Sequence, residues 1–429
     1  MAHGRVRTAR AIYAQAELLG ANINRSPSAY THNPRAERDR YEHDVDKTLA
    51  QVRFESTNGE VLGVINWFAV HPTSMNNTNK LVSSDNVGYA SILMEKELNG
   101  PGVHPGRGKI VCAFASTNLG DVSPNTRGPH CERSGRVCDN EHLLCAAGEK
   151  CFASGPGVDM FDSTRIIATK MFDTAMELLR SPGEDVTGDG EVRALHQYVA
   201  MPEQRVRAYD PLTDTFNSSK IVEGCLPAMG YSFAAGTTDG PGVFNFTQGT
   251  TSSNPLWDAV RDFIAEPTVR DVACHAPKPI LLATGRMPMQ DIERGHQVCR
   301  GVSQAKFPYE WQPQIVSCSV ARVGRLLLAA VPGEFTTMSG RRLRRALAAA
   351  AGPQVAHVVV AGLANVYADY IATPEEYQAQ RYEGASTIYG PHTLDIYLNK
   401  YVELTAALMQ VLALSSLIFS TFLESKEKL

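Results

Sequence analysis

Apolar and polar positions divide this chain into short strand-like runs and longer helical ones. Residues 48 to 70 predict a β-hairpin. LAQVRFES and EVLGVINWFAV have strand character, and Asn58-Gly59 between them supplies the turn. KIVCAFA (109–115), KPILLAT (278–284), RLLLAAV (325–331) and HVVVAGL (357–363) predict further strands. Helical spacing of apolar residues marks 86–98, 159–179 with Asp159 as its cap, 336–350 and 375–386. Strands alternating with helices, and no clean linker between them, predict an α/β or α+β fold with a largely buried mixed sheet. On the 336–350 helix, Arg341, Arg342, Arg344 and Arg345 are expected to form a solvated face.

Polar residues recur where the apolar runs stop. His71 follows VINWFAV, Asp121 and Ser123 follow KIVCAFA, Glu334 follows LLLAAVPG, and Tyr367, Asp369 and Tyr370 follow VVVAGLAN. Ligands of open α/β sheets tend to bind at strand carboxyl ends, so these four exits make a site plausible. His71 and Glu334 suit zinc, but a catalytic zinc takes three protein ligands. In FASTNLGDVSPN (114–125), Ser123 reads either as a nucleophile or as a turn residue, because the G-x-S-x-G elbow is absent.

Composition narrows the class. The chain has 429 residues, 43% hydrophobic and 20% charged, as expected of a soluble globular protein. Its net charge of −4 provides no basic field for nucleic acid. Nine cysteines include a cluster at Cys131, Cys138, Cys145 and Cys151, with His142 nearby. Their spacing departs from the C-x2–4-C pairs of zinc sites, so a disulfide framework and an oxidising compartment are the better reading. Sequons at Asn217 and Asn245, and at Asn24 and Asn76, agree with that compartment. The run DVTGDGE (185–191) lacks the final glutamate of a calcium loop, with His196 in that place, and reads as a surface turn. No signal peptide is legible at the start. Residues 404–423 carry no charge, which suits either a membrane span or an amphipathic helix with an apolar tail.

Several longer motifs resemble neutral ceramidase: NRSPSAY (24–30), NWFAVHPTSMNN (66–77), SDNVGYAS (84–91), NLGDVSPN (118–125), GYSFAAGTTDG (230–240), PGEFTTMSGRRLR (332–344) and EEYQAQRYEGASTIYGPHT (375–393). The resemblance implies a zinc enzyme that hydrolyses the amide of ceramide to sphingosine and a fatty acid. It implies His71, Glu334 and Tyr370 as zinc ligands, Ser123 as nucleophile, and Arg25 and Tyr382 as polar residues lining the site. It also implies the pairings Cys131–Cys145, Cys138–Cys151 and Cys225–Cys274, ceramide and a membrane surface as partners, and a secreted or cell-surface location.

The match also has gaps. The family's further zinc histidine lies in a T-H-x-H-S-G-P-like segment upstream of NRSP, for which this sequence has no counterpart; His3 does not match it. One zinc ion is expected, with that ligand missing. Residues 1–403 then read as a partial ceramidase catalytic domain, with 288–306, including Cys299, as an atypical insert. Residues 404–429 read as an apolar tail in place of the family's C-terminal β-sandwich. Two alternatives to ceramide hydrolysis remain: an impaired chain that only binds ceramide-like lipid, or another lipid amidase.

Overall fold

Runs such as VINWFAV and LLLAAV are apolar at consecutive positions because their strands are covered on both faces. The computed structural model describes residues 6–138, 145–188, 190–242, 244–287 and 310–426, with the backbone alone at 147 and 411–426. His3, His142, Asp189 and the 288–306 stretch with Cys299 lie outside the described residues. One sheet holds β1 (Ala9–Glu17), β2 (Thr48–Ser56), β3 (Val61–Phe68), β4 (Val111–Ser116) and β5 (Glu184–Asp185), in the order β4-β3-β2-β1-β5. A second holds β6 (Val192–Ala200), β7 (Ile315–Val323), β8 (Leu326–Ala330) and β9 (His357–Ala361), in that order. Neighbours are antiparallel except for β3 with β4 and β8 with β9, which run parallel. The expected mixed α/β character is present, carried by two principal sheets instead of one.

The period-two alternation of the strands assigns each face. On β2, Ala50 and Val52 pack with Leu326 and Val359 of the second sheet. Leu49, on the opposite face of the strand, joins the core beneath the helices α1 (Asp85–Asn99) and α2 (Met160–Arg180), with Val64, Phe68, Met94, Ile167 and Met171. Gln51 faces the same side, and its Nε2 donates to Ala175 O of α2 at 2.8 Å. The outer face of the second sheet, with Val316, Val320 and Leu327, packs on Leu343 and Leu347 of α3 (Thr337–Ala351) and on Tyr397 and Tyr401 of α4 (Thr393–Lys426). The layers are therefore helix, sheet, sheet, helix. Burial of each large apolar side chain contributes roughly 1.5–3 kcal/mol to holding them together.

Local signals set the element ends. Asp159 caps α2 by accepting from Asp162 N at 2.7 Å, and Thr336 caps α3. The 375–386 segment is two short helices, Pro374–Gln378 and Tyr382–Ala385, instead of one. Gln380 between them takes a positive φ of 46°, which redirects the chain. α4 runs unbroken through residue 404, burying Leu404 and Leu408 on the second sheet. No helix among the described residues is long and apolar enough to cross a membrane.

The arginines of α3 correct the sequence reading. Arg341 and Arg342 are only 4% and 2% exposed. Arg341 pairs with Asp46 at 2.7 Å; Arg342 pairs with Glu37 at 2.7 Å and Glu375 at 2.9 Å. Arg344 also pairs with Asp46, and Arg345 holds Glu37 and Asp214, each at 2.9 Å. The acidic partners come from segments remote in sequence, so the local pattern could not reveal them.

The disulfides Cys131–Cys145, Cys138–Cys151 and Cys225–Cys274 are all present and point to the secretory pathway. Asn217 and Asn245 are exposed, whereas Asn24 is buried and donates to Asp121. In the 185–191 turn, Asp185 accepts from Thr187 N at 2.9 Å.

Arg342→Ala leaves Glu37 and Glu375 short of a partner, and should cost about 3 kcal/mol or more in urea unfolding. Arg325→Ala, whose pair with Glu184 is exposed, should cost less than about 1 kcal/mol in the same measurement. His275 is fully buried, and burial, with Lys278 adding to it, lowers its pKa from 6.5 to about 3. The unfolded chain therefore binds this proton more readily. Stability from His275 is fully present above pH 6.5 and is lost on acidification toward pH 3, at up to about 1.4 kcal/mol per pH unit. His275→Asn should flatten that part of the stability–pH curve; an unchanged slope would refute the assignment.

Candidate functional site

The two parallel strand pairs, β3 with β4 and β8 with β9, deliver their carboxyl ends to one place. Beyond them, Glu334–Phe335 pairs in parallel with Tyr370–Ile371, and Ile23–Asn24 pairs antiparallel with Val122–Ser123. Gly120 donates its N–H to Phe335 O at 2.9 Å and joins the two halves. A Cβ at Gly120 would lie 2.7 Å from Glu334 O, so only glycine allows this approach.

His71, Glu334 and Tyr370 come together there. His71 is 7% exposed, and its Nδ1 lies 2.8 Å from Val122 O. A carbonyl oxygen only accepts, so Nδ1 carries a proton, as in metal-bound histidines whose second nitrogen donates to a carbonyl. Nε2 lies 2.6 Å from Glu334 Oε2 and 3.3 Å from the Tyr370 hydroxyl. In the neutral ring, a lone pair would therefore face a carboxylate. That contact is favourable only with a positive charge at the junction, either a second ring proton or a cation held among the three side chains. An imidazole nitrogen and a carboxylate are usual zinc ligands, and here a phenol oxygen adjoins them.

The carboxylate and the phenols have different electrostatic surroundings. Burial alone would raise the Glu334 carboxyl, but His71 and Arg25 outweigh it and hold the group below its usual range. Tyr367 also donates to Glu334 Oε1, at 2.8 Å. Burial pushes the Tyr370 phenol well above 10, against the opposing pull of Arg25. It pushes Tyr382 up to about 12 in the same way. Asp369 stands to one side, accepting from Gln312 Nε2 at 2.8 Å.

Ser123 is completely buried, and its hydroxyl donates to Asp239 Oδ1 at 2.5 Å. Ser123 Oγ also accepts from Asn125 N at 3.0 Å, as an ordinary turn serine does. The turn reading of this residue holds, and the turn presents its side chain to Asp239. Arg25 connects Ser123's partner to the histidine cluster. Its NH1 donates to Asp239 Oδ2 at 3.3 Å and its NH2 to Tyr370 Oη at 3.2 Å and Gly120 O at 2.9 Å. Its Nε donates to Glu383 Oε1 at 2.8 Å, and its guanidinium lies 5.6 Å from the Tyr382 ring centroid. Asp121 does not enter the cluster directly. Its Oδ1 accepts from Thr337 N and Oγ1 at the start of α3, and its Oδ2 from Asn24.

All six site residues named from the sequence therefore lie together: Arg25, His71, Ser123, Glu334 and Tyr370 are buried, and Tyr382 flanks them half-buried. Asp239 and Glu383 were missed. Asp239 follows no apolar run; its sequence marks are the turn-like GTTDG and its place in the motif GYSFAAGTTDG (230–240). Tyr382 also lines an apolar cleft of about 440 Å³ with Phe233, Phe244, Phe246, Trp257 and Leu282.

His71, Glu334 and Tyr370 thus meet close to a serine that is hydrogen-bonded to a carboxylate. Residues 1–399 match the family model described as neutral/alkaline non-lysosomal ceramidase, N-terminal. Neutral ceramidase of Drosophila melanogaster is 54% identical over 408 residues, covering 94% of this chain and 55% of that protein. Neutral ceramidase B of Dictyostelium discoideum is 45% identical over 416 residues, covering 95% and 54%. A solved ceramidase described as complexed with C2 superposes with a TM-score of 0.72 at 33% identity, covering 95% of this chain and 55% of that one. The neutral ceramidase of Pseudomonas aeruginosa gives a TM-score of 0.70 at 32% identity, covering 95% and 54%. The chain belongs to the neutral/alkaline non-lysosomal ceramidase family. It spans about half the length of the curated relatives it matches.

Proposed function

We propose that this chain hydrolyses the amide of ceramide to sphingosine and a free fatty acid, with one zinc ion held by His71, Glu334 and Tyr370. Family membership supports the substrate class. The observation that carries the site reading is the convergence of His71 Nε2, Glu334 and Tyr370, close to Ser123. Zinc, when bound, polarises a carbonyl and lowers the pKa of water. His71, Glu334 and Tyr370 are the side chains that would hold it, without the family's further zinc histidine.

The chain's own residues do the rest. In one route Asp239 takes the proton of Ser123 Oγ as that oxygen bonds the amide carbon, and water later hydrolyses the acyl ester, releasing the fatty acid and restoring the serine; in the other, Ser123 Oγ accepts the attacking water's proton while passing its own to Asp239. Arg25 faces the same space with a fixed positive charge and stabilises the oxyanion, while Tyr382 flanks it. The amine leaves as a neutral group once a proton from Asp239 reaches it. The aromatic cleft falls within the roughly 300–1,000 Å³ of small-ligand sites and would take an alkyl chain, with Tyr382 at the junction of apolar and polar walls. The three disulfides support a secreted or cell-surface location.

The test is direct. Zinc content by mass spectrometry and fatty-acid release from ceramide should both be positive for the purified chain. Glu334→Ala should lose both, and activity surviving that change would refute the metal assignment. Zinc near zero with no release, but with ceramide still bound, would leave the lipid-binding alternative. Asp239→Asn keeps the size but not the base, and should lower kcat about 10²- to 10⁴-fold with little change in KM. An unaltered kcat would remove Asp239 from the mechanism.

A further inference from the structure

The helix Pro255–Ala265 is unlike the other long helices of this fold: none of its residues is buried. Its apolar side chains nevertheless follow helical spacing. Leu256, Val260 and Phe263 form a stripe four and three residues apart, with exposures of 68%, 43% and 93%. Phe244 at 72% and Val269 at 88% are also exposed on neighbouring segments. The next helical stripe, Trp257, Val260 and Arg261, lines the apolar cleft. A single helix therefore turns one apolar side outward and an adjoining side into the cleft. Phe244 and Phe246 pack edge-on and tilted against Trp257, with ring centroids 5.4 and 5.0 Å away, and carry the apolar surface across the cleft mouth.

We propose that this helix and the Phe244 turn seat the protein in the apolar layer of a lipid bilayer, so that the cleft opens into the membrane. The proposal rests on the ceramide reading for its choice of occupant, because a two-chain lipid substrate resides in a bilayer. Two observations select a lipid surface over other occupants. First, the exposed stripe is continuous with the cleft, whose inner end is Tyr382, and Tyr382 stacks edge-on against Tyr370 at 5.3 Å. A lipid drawn up the cleft would reach the polar residues without crossing water. Second, the polar side of the helix bears Asp258 and Asp262, both paired to its one arginine, Arg261. Glu266 follows, so the surroundings carry no cationic excess. Attachment must then come from apolar insertion, not from attraction to anionic headgroups, which distinguishes this surface from the basic amphipathic helices that bind by charge. It also requires neither a lipid anchor nor a membrane span.

Co-sedimentation of the purified chain with phosphatidylcholine vesicles tests the proposal. Wild type should bind zwitterionic vesicles, and added salt should not release it. The double variant Leu256→Ser/Phe263→Ser should bind at least about tenfold more weakly. Both residues are exposed and lie outside the cleft, so circular dichroism and hydrolysis of detergent-dispersed ceramide should match wild type. Val158→Ser/Phe161→Ser, on an exposed apolar site elsewhere, should bind as wild type does. Four results would overturn the proposal: no vesicle binding, equal binding by the first double variant, binding that needs anionic lipid and disappears in salt, or a dimer dissolved by that variant, which would assign the face to a second copy. Vesicle binding without turnover would overturn the ceramide reading alone. Turnover of dispersed ceramide without vesicle binding would overturn this one alone.

Discussion

The buried guanidinium of Arg25 is the interaction on which the site depends. It is 6% exposed, and its donors reach Glu383, Asp239, Gly120 and Tyr370, each from a different part of the chain. Burying a positive charge is expensive unless it is paired and its N–H groups are satisfied. The fold meets that condition with two carboxylates, a carbonyl and a phenol. In doing so it holds the serine's partner and the tyrosine of the histidine cluster on one rigid planar group. Guanidinium geometry matters here, because its donors are fixed in direction while an ammonium would offer only a point charge.

A second set of buried charges stands behind the first. Arg341 and Arg342 of α3 gather Glu37, Asp46 and Glu375, and the start of the same helix donates to Asp121. Asp121 in turn sits in the loop that carries Ser123. A helix N-terminus favours a carboxylate, since its first N–H groups lack partners within the helix. The loop therefore meets α3 through a satisfied polar contact, while α3 packs Leu343 and Leu347 into the core. The geometry of the candidate site and the core packing share one helix, so strain on either would be felt by the other.

The polar network and the apolar cleft meet at Tyr382. One side of the ring lies beside Arg25 and Tyr370; the other stacks on Phe233 at 5.8 Å. An amide flanked by long alkyl chains has the same division between a polar centre and apolar arms. The arrangement separates the two solvation problems: the charged groups are satisfied by one another, and the cleft walls offer few hydrogen-bonding groups to compete with an alkyl chain.

Much of this was legible in the residues alone. Period-two and helical patterning located β2, β3, β8, β9, α1, α2 and α3 closely, because each buries a face whose spacing the backbone dictates. Polar residues at strand ends, together with the family motifs, named His71, Ser123, Glu334 and Tyr370. The arginines of α3 show where patterning stops. Four charges in five residues look solvated until Glu37, Asp46, Asp214 and Glu375 are brought beside them, and those contacts span up to about 300 residues of chain. Asp239 was hidden for the same reason, since its importance lies in two partners more than a hundred positions away. By itself, the sequence determined which residue types stand at strand ends, because backbone geometry is local. Only the tertiary structure decided which charges neutralise one another, because pairing depends on distance in space and on exclusion of water.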